Sequence, residues 1–131
     1  MELSNALLVE DAVENGVWVD YDEETSFQIR STESKEYVRA MQKNSRKLKG
    51  ELAKSMSAAR KVTMKCLVEA IIIDWKGITD NGKKLACTPE NVERVLQVPS
   101  VRDFIADQAT EQANFQRESM SATADAVKKG S

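Results

Sequence analysis

The spacing of apolar positions changes period several times along the chain. Over residues 3–14, Leu3, Ala6, Leu7, Val9, Ala12 and Val13 follow helical spacing only in part and have no firm cap, which predicts a weakly held arm or short helix. Gly16 breaks it. Val17, Val19 and Tyr21 then alternate with Trp18 and Asp20, and after Asp22-Glu23-Glu24 the run Phe27-Gln28-Ile29-Arg30 alternates again. Two period-two runs around an acidic turn predict a β-hairpin over 17–30. An isolated hairpin is marginal in water, so it must pack on helices or use its open edge to join a neighbouring copy.

From Ser34 the period becomes helical. Tyr37, Met41, Leu48 and Leu52 share one side, while Lys35, Arg39, Lys43, Arg46 and Lys47 spread around the rest. Gly50 weakens that helix by about 1 kcal/mol relative to alanine and marks a bend. A second helix is expected from about Ser57 to Trp75. Val62, Cys66, Leu67, Ala70, Ile71 and Ile73 form its apolar face, and Lys61, Lys65 and Glu69 a polar stripe. Ile71-Ile72-Ile73 would also suit a buried strand, but the flanking length and the stripe favour helix.

Gly77 then reads as a helix C-cap, and residues 78–87 as a loop turning at Asn81-Gly82. Thr88-Pro89-Glu90 is a strong start signal: a side-chain acceptor for the first free N–H groups, a proline at the first position, and an acid at the positive end. That helix runs to about Gln97 and presents Val92, Val95 and Leu96. Pro99 begins another, with Val101, Phe104, Ile105 and Ala109 inward, continuing through Phe115 to about Glu118. Beyond Ser119 the residues are small and polar, as in a frayed tail. The expected fold is mainly α: a small domain of about four helices over 16–118 with an N-terminal β-hairpin, preceded by an acidic arm (1–15) and followed by a tail (119–131). Trp18, Phe27, Ile71, Trp75, Phe104 and Phe115 are the expected core.

Composition narrows the chemistry. A chain of 131 residues fits one domain with a modest core. It has no histidine, which removes the commonest general base and the commonest transition-metal ligand. Cys66 and Cys87 lack metal-type spacing and read as reduced thiols. The five glycines are isolated, so no phosphate-cradling loop exists. Asp20, Asp22, Glu23 and Glu24 lack EF-hand spacing and read as a solvated turn. Asp74, beside Trp75, reads as a solvent-facing carboxylate. The expectation is a non-enzyme without cofactor or metal. The longest nearly apolar run, Cys66 to Ile73, is interrupted by Glu69 and too short to span a bilayer. The acidic opening lacks a signal peptide's features, so the expected location is the cytoplasm and no membrane partner is expected.

Charge is unevenly distributed although the net is only −2. Residues 1–24 hold eight acidic side chains and no basic one, whereas residues 35–65 hold ten basic ones against Glu36 and Glu51. The split fits a solvated basic helix near an acidic arm, self-association of acidic against basic parts, or nucleic-acid binding. The last is weakest, because the basic stretch lacks interleaved aromatics. A helix-turn-helix over 88–105 is disfavoured: Glu90, Glu93, Asp103 and Asp107 outnumber Arg94 and Arg102 and would repel phosphates. The candidate interaction surface is therefore Lys35, Arg39, Lys43, Arg46 and Lys47, with Asp20, Asp22, Glu23 and Glu24 as the complementary set.

One ordered series of motifs points further. Gly16-Val17-Trp18-Val19, Phe27-Gln28-Ile29-Arg30, Tyr37, Trp75-Lys76-Gly77-Ile78, Thr88-Pro89-Glu90-Asn91 and Asn114-Phe115 occur in that order. Over roughly residues 16 to 116 the chain resembles the tail assembly chaperones of long-tailed bacteriophages. Each motif is weak alone; their order and spacing carry the resemblance. It implies a non-enzymatic assembly factor that coats and solubilises the tape-measure protein, helps recruit tail-tube subunits, and is lost from the mature virion. It also implies action in the host cell cytoplasm, assembly into rings or spirals, and a longer form made by ribosomal frameshifting, for which Lys128-Lys129 is the candidate slippage point. The alternative is a small head–tail connector or adaptor retained in the virion; a third reading is a nucleic-acid-binding regulator using residues 35–65.

Overall fold

The computed structural model describes residues 1–47 and 56–117. Strands β1 (Val17–Asp20) and β2 (Ser26–Ile29) form the expected antiparallel hairpin, with Val17 opposite Ile29 and Val19 opposite Phe27. The turn is closed by Asp22, whose Oδ1 accepts the N–H groups of Glu24 (2.9 Å) and Thr25 (2.7 Å).

A third strand changes the architecture. β3 (Ile72–Lys76) pairs antiparallel with β2, giving the order β1-β2-β3 with Phe27 opposite Trp75 and Ile29 opposite Ile72. Register shifts between Gln28 and Ile29, so Ile73 is an extra residue in β3. The Ile-rich run is therefore strand, not the end of a helix from 57 to 75. Ile72 and Trp75 are buried, whereas Asp74 and Lys76 face solvent. A helix would have turned those side chains around an axis; only the extended form seals them against Phe27 and Ile29.

The preceding helix stops short in an uncommon way. The basic helix α3 (Lys35–Lys47) packs on α4 (Met56–Cys66), which widens into a π-helical turn, Leu67–Ile71, where Ile72 N–H donates to the Leu67 carbonyl. Gly77 is accordingly not a helix cap. It follows β3 at φ +84°, where a Cβ would collide with the Glu24 carbonyl of the hairpin turn. Residues 78–87 contain a second small hairpin, β4 (Thr79–Asp80) and β5 (Lys83–Lys84). Asn81 and Gly82 both have positive φ (+52° and +78°), the two-residue turn that this dipeptide favours.

Thr88 caps α5 (Pro89–Val95) as expected, accepting Asn91 N–H at 3.3 Å. The helix α6 (Pro99–Thr110) begins at Pro99 but does not run on to Glu118. Glu111 leaves helical geometry, a 3₁₀ turn follows at Gln112–Phe115, and the Asn114 side chain donates to both the Gln108 carbonyl and the Gln108 Oε1 (2.9 and 2.8 Å), pinning the reversal that buries Phe115. The N-terminal segment forms two short helices, α1 (Leu3–Ala6) and α2 (Glu10–Asn15). It is tied to the chain's other end: Val9 N–H donates to Phe115 (2.8 Å) and Arg117 N–H to Leu7 (3.2 Å).

Among the described residues there are thus six α-helices, a three-stranded sheet and a two-stranded hairpin. The fold is mixed α/β, and the expectation of a mainly α domain of about four helices is corrected. The main core lies between the sheet's inner face, the π turn and α6, around Phe27, Ile29, Leu67, Ile71, Ile105 and Phe115. A smaller cluster of Ala40, Val62, Cys66 and Ala70, with Tyr37 and Met41 beside it, cements α3 to α4. The expected positions Leu48, Gly50 and Leu52, and the tail from 119, lie outside the described residues.

Candidate interaction surface

Of the aromatic and aliphatic residues expected in the core, Phe27, Ile71 and Phe115 are fully buried and Trp75 nearly so, while Phe104 is half-buried beside Tyr21 with ring centroids 5.2 Å apart. Trp75 also donates its indole N–H to the Leu85 carbonyl at 2.8 Å. Trp18 is a correction. It lies on the outer face of β1, 41% exposed, with Lys76 Nζ 4.3 Å from its ring centroid. The sequence pattern itself places it there: Val17 and Val19 point inward, so the residue between them points out.

Arg30, just past the end of β2, stands out in the sequence only as part of a motif. Its guanidinium is half-buried and donates from Nε to the Glu14 carbonyl (2.7 Å) and from Nη1 to the Ala70 carbonyl (3.1 Å). Its own N–H donates to Ile71. One side chain thus joins α2, the sheet and the π turn. Glu14 in turn places both carboxylate oxygens 3.1 Å from Lys35 N–H, at the positive end of α3.

The charged candidates are all exposed, and among the described residues no ion pair joins the two sets. Asp20, Asp22, Glu23 and Glu24 surround the β1–β2 turn. Asp22 and Asp20 are engaged in shaping it: the two N–H groups on Asp22 hold its carboxyl below the usual range, and Asp20 accepts the Ser26 hydroxyl at 2.8 Å. Lys35, Arg39, Lys43, Arg46 and Lys47 lie on α3, which the chain enters from the other end of β2. A four-residue strand separates turn and entry by about 10 Å. Within α3, Arg39 meets Glu36 (3.1 Å), and Lys43 reaches Glu69 across to the π turn (3.5 Å). Such exposed pairs contribute about 0–1 kcal/mol each.

Among the described residues no strand pairs with the outer edge of β1. Tyr21 N–H points to Thr25 across the hairpin, so by alternation the main-chain groups of Trp18 and Asp20 point away from β2. An aromatic on an unpaired edge is an opening for another chain, partly guarded by the acid at Asp20.

A larger concavity lies on another face. Two adjoining depressions of about 520 and 510 Å³ run between α4 and the α5–α6 corner, sharing Arg60, Met64 and Arg102. Their lining includes Met64, Leu67, Val68, Leu96 and Ala106, and Arg60, Lys61 and Lys65 contribute positive charge. Of the three acidic residues there, Glu69 is paired with Lys43 and Asp103 with Arg102, while Glu93 forms no ion pair among the described residues. Among the described residues Arg60, Lys61 and Lys65 form no ion pair. The stripe of Lys61 and Lys65 was legible in the sequence. The opposing wall was not, because it comes from residues some 30 positions further on.

The thiols are quiet. Cys66 sits in the α3–α4 cluster, and burial pushes its thiol up; the same cause raises the half-buried Cys87 and Tyr37. Protonated thiols are poor nucleophiles. Among the described residues no group of three or more Cys, Asp or Glu is placed to hold a metal ion, and no helix is long and apolar enough to cross a membrane.

The fold and surface define a small mixed α/β protein with open grooves and an unpaired sheet edge. The family model described as YdaY prophage protein matches residues 30–129, and the chain belongs to that family. It is therefore phage-derived. Comparison with curated proteins and with solved structures gives no match.

Proposed function

We propose that this prophage protein is a tail assembly chaperone: it binds and solubilises the helical tape-measure protein, helps recruit tail-tube subunits, acts in the host cytoplasm and leaves before the virion matures. It does so as a self-associating, non-enzymatic assembly factor. The observation that carries the reading is the exposed Trp18 on the free edge of β1, which offers main-chain hydrogen bonds and an aromatic anchor to another protein. Membership of a prophage family supports a phage role, and the ordered motifs from Gly16 to Phe115 support tail assembly among such roles.

The test is co-expression with the tape-measure protein encoded in the same prophage. That protein should move from the insoluble to the soluble fraction and co-purify with this chain, and Trp18→Ala should weaken the capture. A tape-measure protein that remains insoluble overturns the proposal. Finding the chain stoichiometrically in purified virions would favour the head–tail adaptor instead.

A further inference from the structure

We infer that the N-terminal arm of one copy docks into the groove between α4 and the α5–α6 corner of the next. This names the surfaces of the self-association proposed above and rests on it, but not on the tape-measure partner.

The arm has the chemistry of an unfilled knob. Leu3 and Leu7 lie one helical turn apart and are 62% and 56% exposed, although Val9, Ala12 and Val13 just beyond them are packed inward. The main-chain bonds from Val9 to Phe115 and from Arg117 to Leu7 fix the arm's base, so its outer face is presented rather than folded away. Its charged side chains, Glu2, Glu10, Asp11 and Glu14, are all acidic, and only Glu14 is engaged at the start of α3.

The groove has the matching chemistry. Met64, Val68 and the exposed Met56 give it an apolar surface, and Arg60, Lys61 and Lys65, which form no ion pair among the described residues, outnumber the one unpaired acid of the lining, Glu93. An amphipathic segment laid in an apolar groove with opposite charge at the rim is a common mode of helix recognition. Among the described residues no part of the arm lines its own chain's groove: the arm is held beside Phe115, beyond the C-terminal end of α6, whereas the groove meets α6 at Arg102, Asp103 and Ala106. The contact is therefore head-to-tail. A heterologous contact of this kind closes into a ring or continues as a spiral, depending on the rotation per step.

Sedimentation velocity on the full chain tests this directly. The native protein should form species beyond a dimer as concentration rises. Leu3→Asp/Leu7→Asp in the arm should weaken association more than about tenfold, since two leucines lose their burial, and Lys61→Glu/Lys65→Glu in the groove about tenfold, since two rim attractions become repulsions. All four positions are exposed, so circular dichroism and melting temperature should stay native. The decisive sample is the mixture. An arm variant keeps a good groove and a groove variant keeps a good arm, so together they should form a one-to-one heterodimer that grows no further. If the native protein stays monomeric, self-association itself is wrong. If it assembles but neither variant changes the assembly, or the mixture does not pair, this interface is wrong while self-association stands. Tape-measure solubilisation is scored separately and bears on neither result.

Discussion

Removing the Trp75 side chain should cost this protein much of its stability, and the structure says how much. Trp75 is 5% exposed, meets Phe27 edge-on at 6.3 Å, and donates its indole N–H to the Leu85 carbonyl. Truncating a buried aromatic costs about 3–5 kcal/mol through lost transfer energy and the residual cavity. Losing the partner of the Leu85 carbonyl adds about 1 kcal/mol, because that residue is only half-buried and water can compensate in part. The total of about 4–6 kcal/mol is a large share of the roughly 5–15 kcal/mol that small domains possess. For a chain of this length it corresponds to a fall in Tm on the order of 15 °C. Trp75→Phe keeps most of the apolar contact and should lose about 1–3 kcal/mol. Trp18→Ala is the control, with a loss of about 1 kcal/mol or less, since the indole is exposed and its lysine contact is solvated. Urea unfolding followed by far-ultraviolet circular dichroism measures all three without depending on which tryptophan remains. Equal losses for Trp75→Ala and Trp18→Ala would refute the assignment of Trp75 to the sheet's inner face and Trp18 to its outer one.

Three further outcomes follow from individual contacts. Gly77→Ala should destabilise by about 3 kcal/mol or more, because a Cβ there meets the Glu24 carbonyl, whereas Gly82→Ala meets nothing and should cost only about 1 kcal/mol of backbone strain; thermal melts would compare them. Arg30→Lys should lose about 1–3 kcal/mol in urea unfolding, as an ammonium cannot reproduce the two-pronged bond to the Glu14 and Ala70 carbonyls; unchanged stability would show that Arg30 does not join these elements. Stability should also fall in alkali. Folding raises Cys66, Cys87 and Tyr37, so the neutral forms are favoured in the native state, and their contribution is complete below the unfolded values (about 8.5 for cysteine and 10 for tyrosine) and lost as pH rises through the folded ones. Tm should be level between about pH 7 and 8 and decline above about pH 9, less steeply in Cys66→Ala.

Local signals were legible wherever a few neighbouring residues settle the backbone. The alternation of Val17, Val19, Phe27 and Ile29 gave the hairpin, Asn81-Gly82 its tight turn, and Thr88-Pro89 and Pro99 the starts of two helices. Each rests on side-chain parity, on tolerance of positive φ, or on a cap that acts within one turn.

The misread elements share a different physics. Ile71-Ile72-Ile73 is apolar all round and carries no period of its own; its form depended on β2, more than 40 residues earlier, having an edge to fill. The π turn at Leu67–Ile71 and the extra residue at Ile73 are the local adjustments that let a helix pass into that strand in register. Gly77 looked like a helix cap because its positive φ was legible, but only the approach of Glu24 revealed what that conformation serves. The surface divides in the same way. Sequence located the basic helix and the acidic turn, yet it could not tell that no ion pair would join them among the described residues, nor that Lys61 and Lys65 face a wall built by Leu96 and Arg102. Charge, caps and parity belong to the chain. Which strand edge a run completes, and which surfaces become grooves, are decided only when distant segments compete for the same apolar partners.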